Sequence, residues 1–363
     1  MIRPTLLASC FVMFACDQKE APAPAKAAPE KVTEKAAPAA PDVPKIGLEL
    51  PGNDAKVVAL ARKAITCKLE RFGFDSACAE YKAWKDEEDA FSENKADATL
   101  VAFLEDPDEK VRYLGGTRLN AWGAGAFADK AMSERILTVA EKVKGLDSIG
   151  GIVGHIKVKE TGLFPRIKAL LASAEMGNIQ RGEVITYLLA ANPESDEVFA
   201  LTKELLSDPQ LSRSAFSGFT EGGQAKPKET CAVFAAALGH ADDYISSRSA
   251  EKLASFPCAP QFDTLLKSLE ARLKAKKVTD GHFCEALASL CKEKDATAAQ
   301  KKKALALTHK IAEDKTITAT YVRGAAIEAA VACDAKGGKK YIAKFQKDAD
   351  TDVQKTATKL LAK

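Results

Sequence analysis

Cysteine carries most of the chemical capacity of this chain. Nine are present, and seven of them (Cys67, Cys78, Cys231, Cys258, Cys284, Cys291 and Cys333) lie beyond residue 50. Thiols spaced in this way can pair as disulfides, hold a metal, or sit reduced in a core. Cys67 with Cys78, and Cys231 with Cys258, fall where consecutive antiparallel helices would bring them together. Cys284 and Cys291 are expected on one helix, where seven residues at about 1.5 Å rise separate them by about 10 Å, beyond disulfide reach. Cys291 is the better placed of the two to meet Cys333 across a neighbouring helix, which leaves one thiol over. A bridge closing a loop as short as 67–78 is worth about 3 kcal/mol on a chain-entropy argument. The alternative is seven buried reduced thiols, which cysteine tolerates well.

No other set of residues converges on a reaction. His155, His240, His282 and His309 are scattered. His282 beside Cys284 and Cys291 invites a metal, but positions 282 and 284 project in different directions on a helix, and a closed zinc site needs four converging ligands. Gly123-Ala-Gly125-Ala-Phe-Ala128 has the outline of a dinucleotide fingerprint, yet it follows a helix rather than a strand and reads as an inter-helix loop. Gly145, Gly150, Gly151 and Gly154 lack phosphate-loop spacing and read as another turn. The acidic run Asp86-Glu87-Glu88-Asp89 reads as a solvated face, and Trp84 and Trp122 as core. The sequence contains no nucleophile elbow, zincin motif or paired Cys-x-x-Cys. No catalytic residue, metal or cofactor is therefore expected.

The N-terminus has a different chemistry. Behind Arg3, residues 5–15 form a short apolar run that ends at Cys16, where Asp17-Gln-Lys-Glu begins. Eleven apolar residues suit a secretory signal and are too few to span a bilayer. Met13-Phe14-Ala15-Cys16 resembles the lipobox of bacterial lipoproteins in the small residue before the cysteine, with Phe14 bulkier than the pattern. Leu7-Ala8-Ser9-Cys10 matches residue by residue but leaves only nine residues upstream. Cys16 is taken as the lipidated residue, and an ordinary cleaved signal is the alternative. The resemblance implies residues 1–16 as signal peptide plus acylated Cys16, and stable anchoring by more than one chain. Asp17 resembles an inner-membrane retention signal, a rule that varies between bacterial groups. Residues 21–45 hold nine Ala and six Pro, too much proline for a helix and too little apolar surface for a core. Residues 17–50 are therefore expected to form a disordered tether, at about 3 Å per residue.

Beyond it, amphipathic segments of 10–18 residues follow one another, broken by Pro, Gly or Asp. In 98–112, Leu100, Phe103 and Leu104 fall on one helix face; Asp106 then stops that helix and caps the next, with Pro107 at its first position. Val111, Gly115 and Leu119 form the buried stripe of the second helix. Asp106-Pro107 followed by Val111-Arg112, small residues and Leu resembles the inter-helix turn of HEAT repeats. Asp208-Pro209 with Arg213, Val322-Arg323 with Ala325 and Ala326, and Asp352-Val353 with Ala357 are looser copies. The anchors Val111, Ile152, Ile185, Ser212, Ile245, Val322 and Val353 recur at about 27–41 residues once a repeat is allowed near Cys284. The resemblance implies an all-α fold over 51–363, an α-solenoid of HEAT-like antiparallel helix pairs. Residues 54–92 are expected as an N-terminal hairpin, and the last helix as a cap. A bundle without superhelical order is the competing architecture. Small residues at inter-helix contacts, Gly115, Ala325 and Ala357, favour the stack.

Charge narrows the partners. Residues 264–363 hold 21 Lys/Arg against 12 Asp/Glu, a net +9 in a chain of net +3. A basic distal end suits an acidic partner or anionic surface, but with the lysines spread over several helices, solvated helix faces are the preferred reading. No aromatic–basic interleaving of a nucleic-acid platform occurs. The expectation is a non-enzymatic, membrane-anchored scaffold in the cell envelope, binding a protein or anionic envelope component and no nucleic acid or small-molecule substrate. A structural spacer without a dedicated partner, or an enzyme with an unfamiliar site, are the other readings.

Overall fold

The computed structural model describes residues 47–48, 50–70, 73–143, 146, 148–173, 176–256, 261–317 and 319–362. Cys10, Cys16, the leader and nearly all of the tether lie outside them. Gly47, Leu48 and Leu50 already belong to the folded part, several residues before the expected boundary. Leu48 packs on the core, and the Gly47 carbonyl accepts hydrogen bonds from the Leu50 amide and the Asn53 side chain.

The described elements begin with α1 (Ala55–Ala64), a two-stranded ribbon β1 (Leu69–Glu70) and β2 (Gly73–Phe74), and α2 (Ala79–Asp86). The ribbon is antiparallel, with Leu69 opposite Phe74, and α1 packs on α2. Next come α3 (Asp97–Leu104), α4 (Glu109–Trp122), α5 (Ala124–Ala128), α6 (Lys130–Lys142), α7 (Ile149–Gly154), α8 (Val158–Thr161), α9 (Phe164–Ala172) and α10 (Asn178–Ala191). They are followed by α11 (Asp196–Leu205), α12 (Ser212–Gly222), α13 (Pro227–Ala237), α14 (Asp243–Ser255) and α15 (Phe262–Lys274). The last are α16 (His282–Leu290), α17 (Ala298–Glu313), α18 (Thr320–Cys333), α19 (Ala335–Ile342) and α20 (Thr351–Leu361). Apart from the ribbon the described residues are helix and connecting loops: the fold is all-α. None of these helices is long and apolar enough to cross a membrane.

The packing is sequential. α4 rests on α7, α7 on α10, α10 on α12, α12 on α14, α14 on α16, α16 on α18 and α18 on α20. The intervening helices cover this row: α3 against α4, α6 against α7, α11 against α12, α13 against α14, α15 against α16 and α17 against α18. Val111, Ile152, Ile185, Ser212, Ile245, Val322 and Val353 each lie on a helix of the row, and all are buried. The core is one connected cluster from Val57 to Ala357.

Local chemistry sets where these helices start. Asp54, Asp108, Asp129, Asp242, Asp334 and Asp350 each cap a helix through a side-chain oxygen, satisfying backbone N–H groups that no carbonyl can reach. Several details depart from expectation. Asp108, not Asp106, caps α4; Asp106 accepts from the Asp108 amide, so Pro107 stands before the helix rather than at its first position. A cap must sit directly before the first helical residue, and only Asp108 does. α3 buries Asp97 and Thr99–Leu104 on all sides rather than one face, since α4, α5 and α6 all lie against it. Gly150, Gly151 and Gly154 are not a turn but part of buried α7. A Cβ at Gly154 would stand 2.9 Å from Tyr187 Cβ and from the Val184 carbonyl oxygen of α10. Gly123–Ala128 is mostly a one-turn helix, α5. Gly115 meets Phe103 and Leu100 of its own partner helix α3 rather than the next pair.

Candidate functional site

The cysteines divide into bonded and buried. Cys67 and Cys78 form a disulfide with Cα atoms 6.0 Å apart, closing the ribbon between α1 and α2. Cys291, at the end of α16, is bonded to Cys333, at the end of α18, across two adjacent helices of the row. Cys231 is disulfide-bonded, and Cys258 lies outside the described residues. Cys284 is a free, buried thiol, its pKa pushed up to about 12 by burial, so at neutral pH it is protonated and unreactive.

Among the described residues Cys67, Cys78 and Glu80 alone group three ligand atoms, within 4.8 Å of one another. The two sulfurs are bonded to each other, so neither is a thiolate, and a carboxylate cannot complete a site by itself. His282 Nδ1 lies 2.9 Å from Glu285 and 3.8 Å from Glu251, an exposed acid–imidazole contact without a cysteine ligand.

A cleft of about 560 Å³ opens where α4, α7 and α10 end, bordered by α5. Its walls follow from the stacking. Trp122 closes α4, His155 closes α7, and Tyr187 lies on the last turns of α10, so successive helices of the row each bring one ring to the same edge. Phe127 of α5, His155 and Tyr187 stack in a column, with centroids 5.4 and 4.9 Å apart. Hydrogen bonds hold the frame. The Lys157 amide donates to the Phe127 carbonyl (2.9 Å) and its ammonium to the Ala191 carbonyl (2.7 Å). Buried Asn192 accepts from the Val158 amide at 2.8 Å and donates to the Ile156 carbonyl at 2.9 Å, fixing the end of α10 to the loop after α7. Asn94, in the left-handed region at φ 60°, accepts from the Gly125 amide at 3.1 Å and so anchors α5.

The electrostatics are muted. His155 Nδ1 lies 2.6 Å from the Gly151 carbonyl, which assigns the ring proton to Nδ1. Burial, more than any charge, holds its pKa below the ordinary imidazole value, so the ring is neutral at pH 7. Burial likewise raises the Tyr187 phenol, with Glu183 and Glu221 adding to it. No carboxylate lines the cleft, and its one cation, Lys157, is already held by a carbonyl. Asn120, Trp122 and Tyr187 line it, and the Asn120 amide, the Trp122 indole N–H and the Tyr187 hydroxyl make no hydrogen bond to any described residue.

A second cleft of about 640 Å³ shares Lys157 and Ala191 as a wall and is lined by Lys159 and by the carboxylates Glu160, Glu194, Asp196 and Glu197. Trp84 is core, as expected, but Trp122 is half-buried and faces the first cleft. Sequence reasoning missed this edge. The usable signal was an aromatic ring near the end of successive helices of the row, visible only once the register of those helices is known. No family model, curated protein or solved structure matches this chain.

Proposed function

We propose that the chain is an exported α-solenoid of HEAT-like helix pairs, tethered in the bacterial cell envelope through lipidated Cys16, that acts as a non-enzymatic interaction scaffold. It binds a protein or envelope polymer at the edge formed by Trp122, His155 and Tyr187, and it needs no cofactor. One observation carries the proposal: helices of the row from α4 to α20 rest on one another in sequence, and the ends of three of them, α4, α7 and α10, bring aromatic rings and polar groups to one cleft. Such a row exposes a long series of equivalent helix ends, the geometry that repeat proteins use to hold partners. The cleft holds no pair of titratable groups poised to exchange a proton, and His155 is neutral and donates to a carbonyl. The disulfides Cys67–Cys78 and Cys291–Cys333, together with the bonded Cys231, fit an oxidising compartment.

The test is photo-crosslinking in intact cells from position 120, at the cleft, and from position 179 as control. Ile179 is 81% exposed at the opposite end of α10. The expected result is a discrete adduct from position 120 that the control does not give, together with release of the protein from membranes by Cys16→Ala. No adduct from position 120, or adducts of the same pattern from both positions, would contradict the scaffold.

A further inference from the structure

We infer that the cleft at the ends of α4, α7 and α10 takes an uncharged saccharide ring, an assignment that rests on the scaffold function proposed above and names the chemistry of its partner. The lining residues exclude the other ligand classes one at a time. An anion would meet the C-terminal ends of α4, α7 and α10, where the helix dipoles are negative, against the N-terminus of the one-turn α5 alone, whose Gly125 and Ala126 amides are already taken by Asn94 and Asp97. Lys157 is the cleft's single cation and gives one of its three ammonium donors to the Ala191 carbonyl at 2.7 Å, and no second cation stands with it to offset those dipoles. A cationic ligand would find aromatic faces but no carboxylate among the lining residues, and Lys157 standing beside it. A wholly apolar ligand would bury the Asn120 amide, the Trp122 N–H and the Tyr187 hydroxyl without partners, at the cost of their hydration.

A pyranose satisfies each of these constraints. Its C–H face lies on the electron-rich face of an aromatic ring, and its hydroxyls both donate and accept. The Asn120 carboxamide offers donors and an acceptor in one plane, Trp122 a donor, and Tyr187 a hydroxyl that can do either. All three groups are free to do so, because none is spent on another described residue. The volume, about 560 Å³, lies within the roughly 300–1,000 Å³ of small-ligand sites. The cleft is open rather than enclosed, so it can receive one ring from within a longer polymer.

The chain contains two tryptophans, and Trp84 is sealed in the core at 1% exposure. Changes in intrinsic fluorescence on binding therefore report Trp122. The full chain in detergent is titrated with chitotetraose, cellotetraose and maltotetraose, and with tetralysine and tetraglutamate as charged controls. At least one tetrasaccharide is expected to give a saturable change with a Kd at or below about 1 mM, and neither peptide is. Trp122→Ala, followed by calorimetry, is expected to weaken binding at least tenfold, and Asn120→Ala by several fold. Asn120 is exposed, so that second variant keeps the test alive if Trp122→Ala fails to fold. No saturable response to any saccharide up to about 10 mM, saturation by a peptide instead, or affinities unchanged in both variants would overturn the assignment. Failure of the saccharides while the position-120 adduct still forms sinks the saccharide alone; loss of both sinks the scaffold site as well.

Discussion

At the scale of single residues, two histidines are held neutral by the fold. His155 is wedged between Phe127 and Tyr187, and His309 stacks on Tyr341 with centroids 3.4 Å apart. Burial is the main cause of the lowered pKa in both. Lys157 pushes His155 further the same way, while Glu313 and Asp334 oppose and Lys344 assists the effect at His309. The sign follows: below the ordinary imidazole pKa of about 6.5 the unfolded chain binds protons that the folded chain refuses. Stability is therefore full above that value and falls as pH drops through it. Thermal melts between about pH 7.5 and 5.5 should show Tm decreasing, and the double variant His155→Gln/His309→Gln should flatten that slope even if its absolute Tm is lower. Carboxylates such as Asp348 and Glu141 are held below their ordinary range by Arg323 and Arg166 and so withdraw stability only at more acid pH. An unchanged slope in the double variant would remove the histidines from the account.

Cysteine gives a second residue-scale prediction. Native protein should not react with a thiol reagent, because Cys284 is fully buried and its thiol stays protonated. Unfolded without reductant, the mature folded part should release one reactive thiol, mapped to Cys284 by non-reducing mass spectrometry. Three or more free thiols would undo the proposed pairing.

At the scale of elements, α10 is the helix on which most of the row depends, with α7 on one side and α12 on the other. Close approach is possible because the neighbours present glycine: Gly154 of α7 against Val184 and Tyr187, and Gly222 of α12 against the Leu189–Ala190 peptide. At Gly222 the obstruction is backbone, which cannot rotate away. Gly222→Ala should therefore cost about 1–3 kcal/mol in denaturant unfolding, against a few tenths gained had the site been open. An unaffected midpoint would mean that α10 and α12 lie further apart than described.

How far these elements were legible depends on what the local signals can carry. The anchors from Val111 to Val353 each mark a helix of the row, because a repeated apolar position reports burial wherever the next pair must cover it. Caps were legible in kind but not in place: the choice between Asp106 and Asp108 is decided by one residue of phase. The glycines of α7 were misread since glycine marks a turn locally, whereas here it is demanded by a neighbour distant in sequence. The cleft was not legible at all. Trp122 read as core and His155 as one of four scattered histidines, Asn94 and Tyr187 carried no signal of their own, and only the register of packed helices brings the four to one edge.

At the scale of the whole folded part, the central claim is that stability is passed from neighbour to neighbour along the row. Its distal end is pinned by a buried ion pair: Arg323 of α18 donates to both carboxylate oxygens of Asp348, at 3.2 and 2.7 Å, and to the Ala312 carbonyl at 3.0 Å. Removing the acid leaves Arg323, 4% exposed, as an uncompensated buried charge, a loss of roughly 3–5 kcal/mol in comparable cases. In a serial stack that loss stays near its origin. Native-state hydrogen exchange of Asp348→Ala is the most direct measurement. The account predicts faster exchange in α18, α19 and α20, with protection in α4, α7 and α10 unchanged from wild type. A uniform loss of protection from α4 to α20 would contradict it, because that is how a single cooperative bundle responds.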